Sequence, residues 1–295
     1  GLHPRGNAEA FTQAASENKW FESHGIEHWT EFYTDYGREI QLKFFNYFLK
    51  GEDNGWAERP KVQLQVRHED KFVERCEWTK FYLHPDGCGL AATPSDQPGA
   101  ITYGGLSDGV TFISDPIEQD MEITGPLASK LWVSSATEDA DMFLVFRVFS
   151  PEMKEVVFQG ALDPHTPVAQ GWLRASHRKL DEALTEPYRP YHTHDEKQPL
   201  TPGETVELDI EIWPTSIVVP KDYRIALSIR GKDYVYTGDP GVGLAHMKHP
   251  FTGNGPFLHN DPIDRPPEVF GGDVTLHFGA DMQPYVLVPV IPKKN

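Results

Sequence analysis

Val206-Glu207-Leu208-Asp209-Ile210-Glu211-Ile212 carries an apolar side chain at every second position and an acidic one between, the period-two pattern of a strand with one face in a core and the other in water. The alternation returns at Ile225, Leu227 and Ile229, and Pro214 to Lys221 reads as the turn between the two segments. Upstream, Val62, Leu64 and Val66 alternate with Gln63, Gln65 and Arg67. Further strand-length segments are Thr79 to Leu83, Met121 to Thr124, Leu131 to Ser134, Met142 to Phe149, Glu155 to Phe158, Trp172 to Ala175, Val274 to Phe278 and Tyr285 to Val290. Turn residues drawn from 25 Gly and 25 Pro separate them, and no long helix intervenes. Such a series buries its apolar faces only by packing sheet on sheet. The expected fold is therefore mainly β, a jelly-roll β-sandwich of antiparallel strands.

The chain upstream of residue 55 has a different period. Asn7 to Ala15 is rich in Ala and follows Pro4, which predicts a short helix, and Lys19 to Ser23 reads as a brief strand. From Thr34 or Asp35, either a fitting N-cap, Ile40, Phe44, Phe45 and Phe48 recur at helical spacing until Gly51, a residue suited to the position after a helix end. Helix, strand, helix is an α/β fragment, and one strand with two helices encloses no core of its own. The expected organisation is thus residues 1–54 as the end of a larger α/β unit, or as an appendage packed on the sandwich, and residues 55–295 as the sandwich.

Composition removes several functional classes. Over 295 residues, 27 Lys and Arg stand against 44 Asp and Glu, a formal charge of −17 with no basic run longer than a pair, which argues against nucleic acid as a partner. No apolar run reaches the roughly 20 residues of a membrane-crossing helix. Two cysteines, Cys76 and Cys88, are too few for a disulfide scaffold or a thiolate zinc site and read as unrelated thiols, which is compatible with reducing cytosol without excluding secretion.

Several longer motifs then converge. Phe44-Phe45-Asn46-Tyr47-Phe48-Leu49-Lys50-Gly51 resembles the helix that closes the catalytic domain of the CocE/NonD (cocaine esterase-like) serine hydrolases, which share their C-terminal domain with X-Pro dipeptidyl-peptidases. Asp120-Met121-Glu122-Ile123-Thr124-Gly125-Pro126, Thr137-Glu138-Asp139-Ala140-Asp141, Gly171-Trp172-Leu173-Arg174-Ala175-Ser176-His177-Arg178 and Leu208 through Ser216 continue in that family's order, and Val288-Pro289-Val290-Ile291-Pro292 resembles its last strand. The resemblance implies hydrolysis of ester or amide bonds, acyl, aminoacyl or X-Pro dipeptidyl, by a Ser-His-Asp triad. It also implies that the serine and the acid lie on sequence preceding Gly1, in a missing N-terminal catalytic segment. The triad histidine falls on His24 in Trp20-Phe21-Glu22-Ser23-His24-Gly25, where a strand runs into a loop; His28, four residues on, is the alternative.

Other residue sets have ordinary readings. Gly105-Leu106-Ser107-Asp108-Gly109 has the G-x-S-x-G spelling, but the β-branched run Val110 to Ile113 that follows is unsuited to the helix a nucleophile elbow requires, so Ser107 reads as a turn residue. His192-Thr193-His194-Asp195 lies in a polar Pro-rich loop without a third ligand at a useful spacing, and Glu138, Asp139 and Asp141 read as an acidic turn; no metal and no cofactor is expected. Glu118, Asp120 and Glu122 read as solvated charges, not as a glycosidase pair. Trp132, Phe149, Trp172 and Trp213 read first as core and second as a ligand-binding face, which leaves a non-catalytic carbohydrate- or partner-binding module as the alternative function. The long segment Gly243 to Asn260, with His246, His249 and His259, is marked as functional by its length. The chain alone, lacking a nucleophile, is expected to be inactive. The partner of the whole is a small ester or amide substrate, and homo-oligomerisation is left open.

Overall fold

The computed structural model describes residues 4–24, 30–64, 77–158, 160, 163–238, 252–254 and 258–292. His28, Val66, Cys76, His246 and His249 lie outside them. The chain opens with α1 (Pro4–Gln13), β1 (Phe21–Ser23), the single turn α2 (Thr30–Tyr33), α3 (Asp35–Lys50) and β2 (Val62–Leu64). Thr34 caps α3, its hydroxyl accepting from the Gly37 N–H at 3.0 Å. Gly51 closes the helix at φ 68°, in left-handed space that a Cβ disfavours, and its N–H returns to the Asn46 carbonyl. β1 and β2 pair in parallel, Phe21 opposite Val62 and Ser23 opposite Leu64, so β2 belongs to the sheet of the N-terminal piece.

Eleven strands follow: β3 (Glu77–His84), β4 (Gly89–Ala91), β5 (Gly99–Gly104), β6 (Val110–Ser114), β7 (Met121–Ser135), β8 (Asp141–Phe149), β9 (Ala169–Arg174), β10 (Val206–Val219), β11 (Arg224–Arg230), then the turn of helix α4 (Pro267–Phe270), β12 (Asp273–Phe278) and β13 (Tyr285–Ile291). They share one continuous ladder in the order β9-β8-β11-β6-β4-β3-β13-β7, with β10 on the other edge of β7 and β12-β5 branching from its end. The pairing is antiparallel apart from β4 on β6. The ladder closes on itself as a sandwich around Phe112, Leu131, Phe146, Leu208, Ile225 and Val286, all fully buried. The alternation at Val206 to Ile212 is realised as expected, with Leu208, Ile210 and Ile212 inside.

The two ends of the ladder meet where β9 lies on β10. Gly171 is the close approach: a Cβ there would stand 2.1 Å from the Glu211 carbonyl oxygen and 2.9 Å from the Ile212 Cα. Backbone on both sides leaves little room to yield. Gly171→Ala is therefore expected to destabilise the fold by about 3 kcal/mol, a fall in midpoint of roughly 10 °C in a circular-dichroism melt. An unchanged melt would mean that the seam is looser than its geometry indicates.

Three prolines lie along one crease. Met121 to Thr124 and Leu131 to Ser134 are one strand, β7, continuing through Gly125 and Pro126, and β10 runs through Pro214 to Val219, where a turn had been expected. The register slips between Ile212 and Thr215 on β10, and between Leu287 and Val290 on β13 across Pro289. Bulges tolerate proline because a ladder bond is already absent there. Gly125, at φ 137°, faces Pro289 with a Cβ position 3.2 Å from its ring, so the residues read as strand ends are the bend in a long sheet. Glu155 to Phe158, expected as a strand, forms only isolated bridges with Phe149 and Thr166. Among the described residues, no helix is long and apolar enough to cross a membrane.

Candidate active site

β1 is short, and aromatic packing fixes its position. Trp20, immediately before it, lies edge-on to Trp56 at 5.4 Å and to Phe48 at 6.0 Å, and Phe44 meets Trp56 at 5.2 Å. Lys61, just before β2, sets its ammonium 3.6 Å from the Trp20 ring. Across the strand pair, Glu22 accepts from the Tyr36 hydroxyl at 2.7 Å and from Arg59 at 3.1 Å, and Arg59 also donates to Gln63. Burial and the adjacent Glu22 carboxylate hold the Tyr36 phenol above its usual pKa.

His24 is the first residue beyond the carboxyl end of β1, the end of a parallel strand at which α/β folds gather their ligands. Its side chain is half-buried. Nδ1 is shielded from solvent and has no hydrogen-bond partner among the described residues. A shielded imidazole nitrogen without a partner is costly; a carboxylate accepting from Nδ1–H would remove that cost and fix the tautomer that leaves Nε2 free to take a proton. The surrounding helices expose apolar side chains: Phe32, Leu42, Phe45 and Leu49 are each more than half exposed.

The other sequence candidates separate clearly. Ser107 sits in the turn between β5 and β6, its hydroxyl accepting from the Gly109 N–H at 3.1 Å and its own N–H bonded to the Gly104 carbonyl at 2.9 Å. Strand-turn-strand is not the strand-turn-helix of a nucleophile elbow. Asp139 is occupied by internal donors, accepting from the backbone N–H of Ala140 and of Ser176 at 2.9 Å and from the Ser176 hydroxyl at 2.6 Å. Asp120 accepts from the Lys221 N–H, closing a turn. His194 meets His177, Nδ1 to Nδ1, at 3.1 Å. Phe149 is core, whereas Trp172 and Trp213 are only half-buried and line a cleft.

Sequence reasoning missed one pair. His259 donates from Nδ1–H to the Asp233 carboxylate at 2.9 Å, while the same carboxylate accepts the His259 backbone N–H at 2.6 Å. Nothing in the spacing of the two residues announces the contact, which depends on the path of the long segment between them.

The model of the X-Pro dipeptidyl-peptidase C-terminal non-catalytic domain matches residues 54–246. A candidate serine esterase of Mycobacterium bovis is 26% identical over 236 residues, 65% of this chain and 35% of that protein. A candidate Xaa-Pro dipeptidyl-peptidase of Rhodopirellula baltica is 23% identical over 220 residues, 68% of this chain and 34% of the other. The crystal structure of a CocE/NonD family hydrolase of Staphylococcus aureus superposes with a TM-score of 0.85 at 26% identity, covering 99% of this chain and 52% of that one. The chain thus spans about a third of the length of the curated relatives and about half of the crystallised one.

Proposed function

The chain belongs to the X-Pro dipeptidyl-peptidase C-terminal domain family, and from that premise we propose that it works as part of a CocE/NonD-type serine hydrolase that cleaves ester or amide bonds. In this reading residues 1–54 complete an α/β-hydrolase lobe, β2 reaches back to pair with β1, and the rest of 55–295 forms the sandwich that braces it. The observation that supports the reading best is His24: an imidazole at the carboxyl end of a parallel strand, with Nδ1 shielded and awaiting a carboxylate.

The chemistry assigned to His24 is proton transfer. As a serine oxygen, supplied from outside this chain, bonds to the substrate carbonyl carbon, its proton passes to Nε2 of His24. The same proton goes to the departing oxygen or nitrogen as the carbonyl–leaving-group bond breaks, leaving an acyl-serine. Water then attacks the acyl carbon, gives a proton to Nε2, and the acid is released as the serine recovers that proton. Small-molecule esters or amides are the substrate class.

On its own, the pure chain is expected to release nitrophenolate from p-nitrophenyl acetate no faster than buffer does, with or without Ser107→Ala. Joined to the serine-bearing lobe it is expected to turn the ester over. Turnover by the chain alone that disappears on Ser107→Ala would overturn the assignment.

A further inference from the structure

The sandwich also carries a cleft lined by aromatic and polar side chains. It measures about 520 Å³, within the range of small-molecule sites, and opens where β8, β9 and β10 meet the loop 187–195 and the segment that begins at Leu258. Trp172 of β9 and Trp213 of β10 form one wall, edge to face at 5.3 Å. His259 sits 6.0 Å from Trp172 and 5.5 Å from Phe143, and Tyr191 and His194 lie on the facing loop.

Four charged groups of the cleft, Arg174, Arg265, Asp141 and Asp264, are engaged with each other. Arg174 holds Asp141 through two bonds at 2.8 and 3.0 Å and Asp264 through two at 3.1 Å. Arg265 donates to Asp141 at 2.7 Å and to the carbonyls of Gly231 and His259 at 2.6 Å. An anionic ligand would have to break these pairs to find a guanidinium, which costs more than one new contact returns. What the cleft does offer is aromatic surface beside neutral groups that hydrogen-bond: imidazoles and the Tyr191 hydroxyl. With Nδ1 engaged by Asp233, the second ring nitrogen of His259, Nε2, is left to hydrogen-bond a ligand in the cleft. A purely apolar ligand would strand those polar atoms. A molecule with one C–H face and a rim of hydroxyls satisfies both halves of the lining.

We propose that this cleft is a binding site for a neutral saccharide, its C–H face set against the wall formed by Trp213 and Trp172 and its hydroxyls hydrogen-bonded by Tyr191 and His259.

The test is isothermal titration calorimetry of the chain with cellotriose, maltotriose, xylotriose, chitotriose and lactose, alongside sodium benzoate as an aromatic anion. At least one saccharide is expected to bind saturably with a Kd of about 1 mM or tighter. Trp213→Ala is expected to weaken that binding tenfold or more. Tyr191→Ala, on a partly exposed loop where folding is little affected, is expected to weaken it severalfold, and Trp132→Ala, outside the cleft, is expected to leave it unchanged. Failure of all five saccharides, binding indifferent to both Trp213→Ala and Tyr191→Ala, or benzoate binding more tightly than every saccharide would each overturn the proposal.

Discussion

With this chain joined to the serine-bearing lobe that the proposed function calls for, His24→Ala is expected to lower kcat for p-nitrophenyl acetate by about 10⁴-fold or more while KM moves by no more than about threefold. The size follows from the role. Without an acceptor for the serine proton, the attacking oxygen remains a neutral hydroxyl, and only binding and the electrostatics of the site are left to accelerate the reaction. The split between kcat and KM separates this role from a packing role, because a residue that merely holds β1 against β2 would alter binding and thermal stability as well. His28→Ala serves as the counter-measurement. Should His24→Ala retain more than a tenth of the activity while His28→Ala abolishes it, the base lies four residues further on.

The second large effect concerns stability. Asp141 opens β8 and is almost fully buried, taking three donor contacts from the guanidiniums of Arg174 and Arg265; the Arg265 side chain is itself only 5% exposed. Asp141→Ala removes the counter-charge and leaves the Arg265 cation in the interior with only carbonyl acceptors. The expected cost is about 3–5 kcal/mol, the range for removing one partner of a buried pair. It is read as a lower urea midpoint at unchanged slope. Replacing both partners, Asp141→Leu with Arg265→Met, is expected to recover much of the loss, because the penalty comes from the stranded charge. A cost under 1 kcal/mol for the single substitution would show that water or a rearranged side chain satisfies Arg265. Arg174, a fifth exposed and bonded also to Asp264, is held above its ordinary pKa by these carboxylates and stays charged across the working range.

Much of this architecture was legible because local signals agreed. Thr34 and Gly51 marked both ends of α3, and the alternation at Leu208, Ile210 and Ile212 named the buried face of β10. Two of the misreadings turn on proline. Pro126 and Pro214 were taken as strand breaks, yet each sits at a bend where the ladder has already slipped, a circumstance set by neighbouring strands and invisible along the chain. β4 and β5 escaped notice because short strands rich in Gly have too few apolar positions to show a period. The motif pointed to His24, but the shielding of its Nδ1 is a three-dimensional fact. The Asp233–His259 contact and the mutual neutralisation around Asp141 join residues far apart in sequence, beyond the reach of spacing arguments.

The place of β13 sets the order of events at the ribosome. This strand, at residues 285–291, is inserted between β3, more than two hundred positions earlier, and the central β7. Until those residues clear the exit tunnel, β3 and the strands it carries have no route to the other half of the ladder. Nascent β7 and β10 must wait with an open edge, exposed to wrong partners until β13 has emerged. The ladder is therefore completed in one closure that is late relative to β3, and its yield in a cell should depend on how well chaperones shield the unfinished sheet.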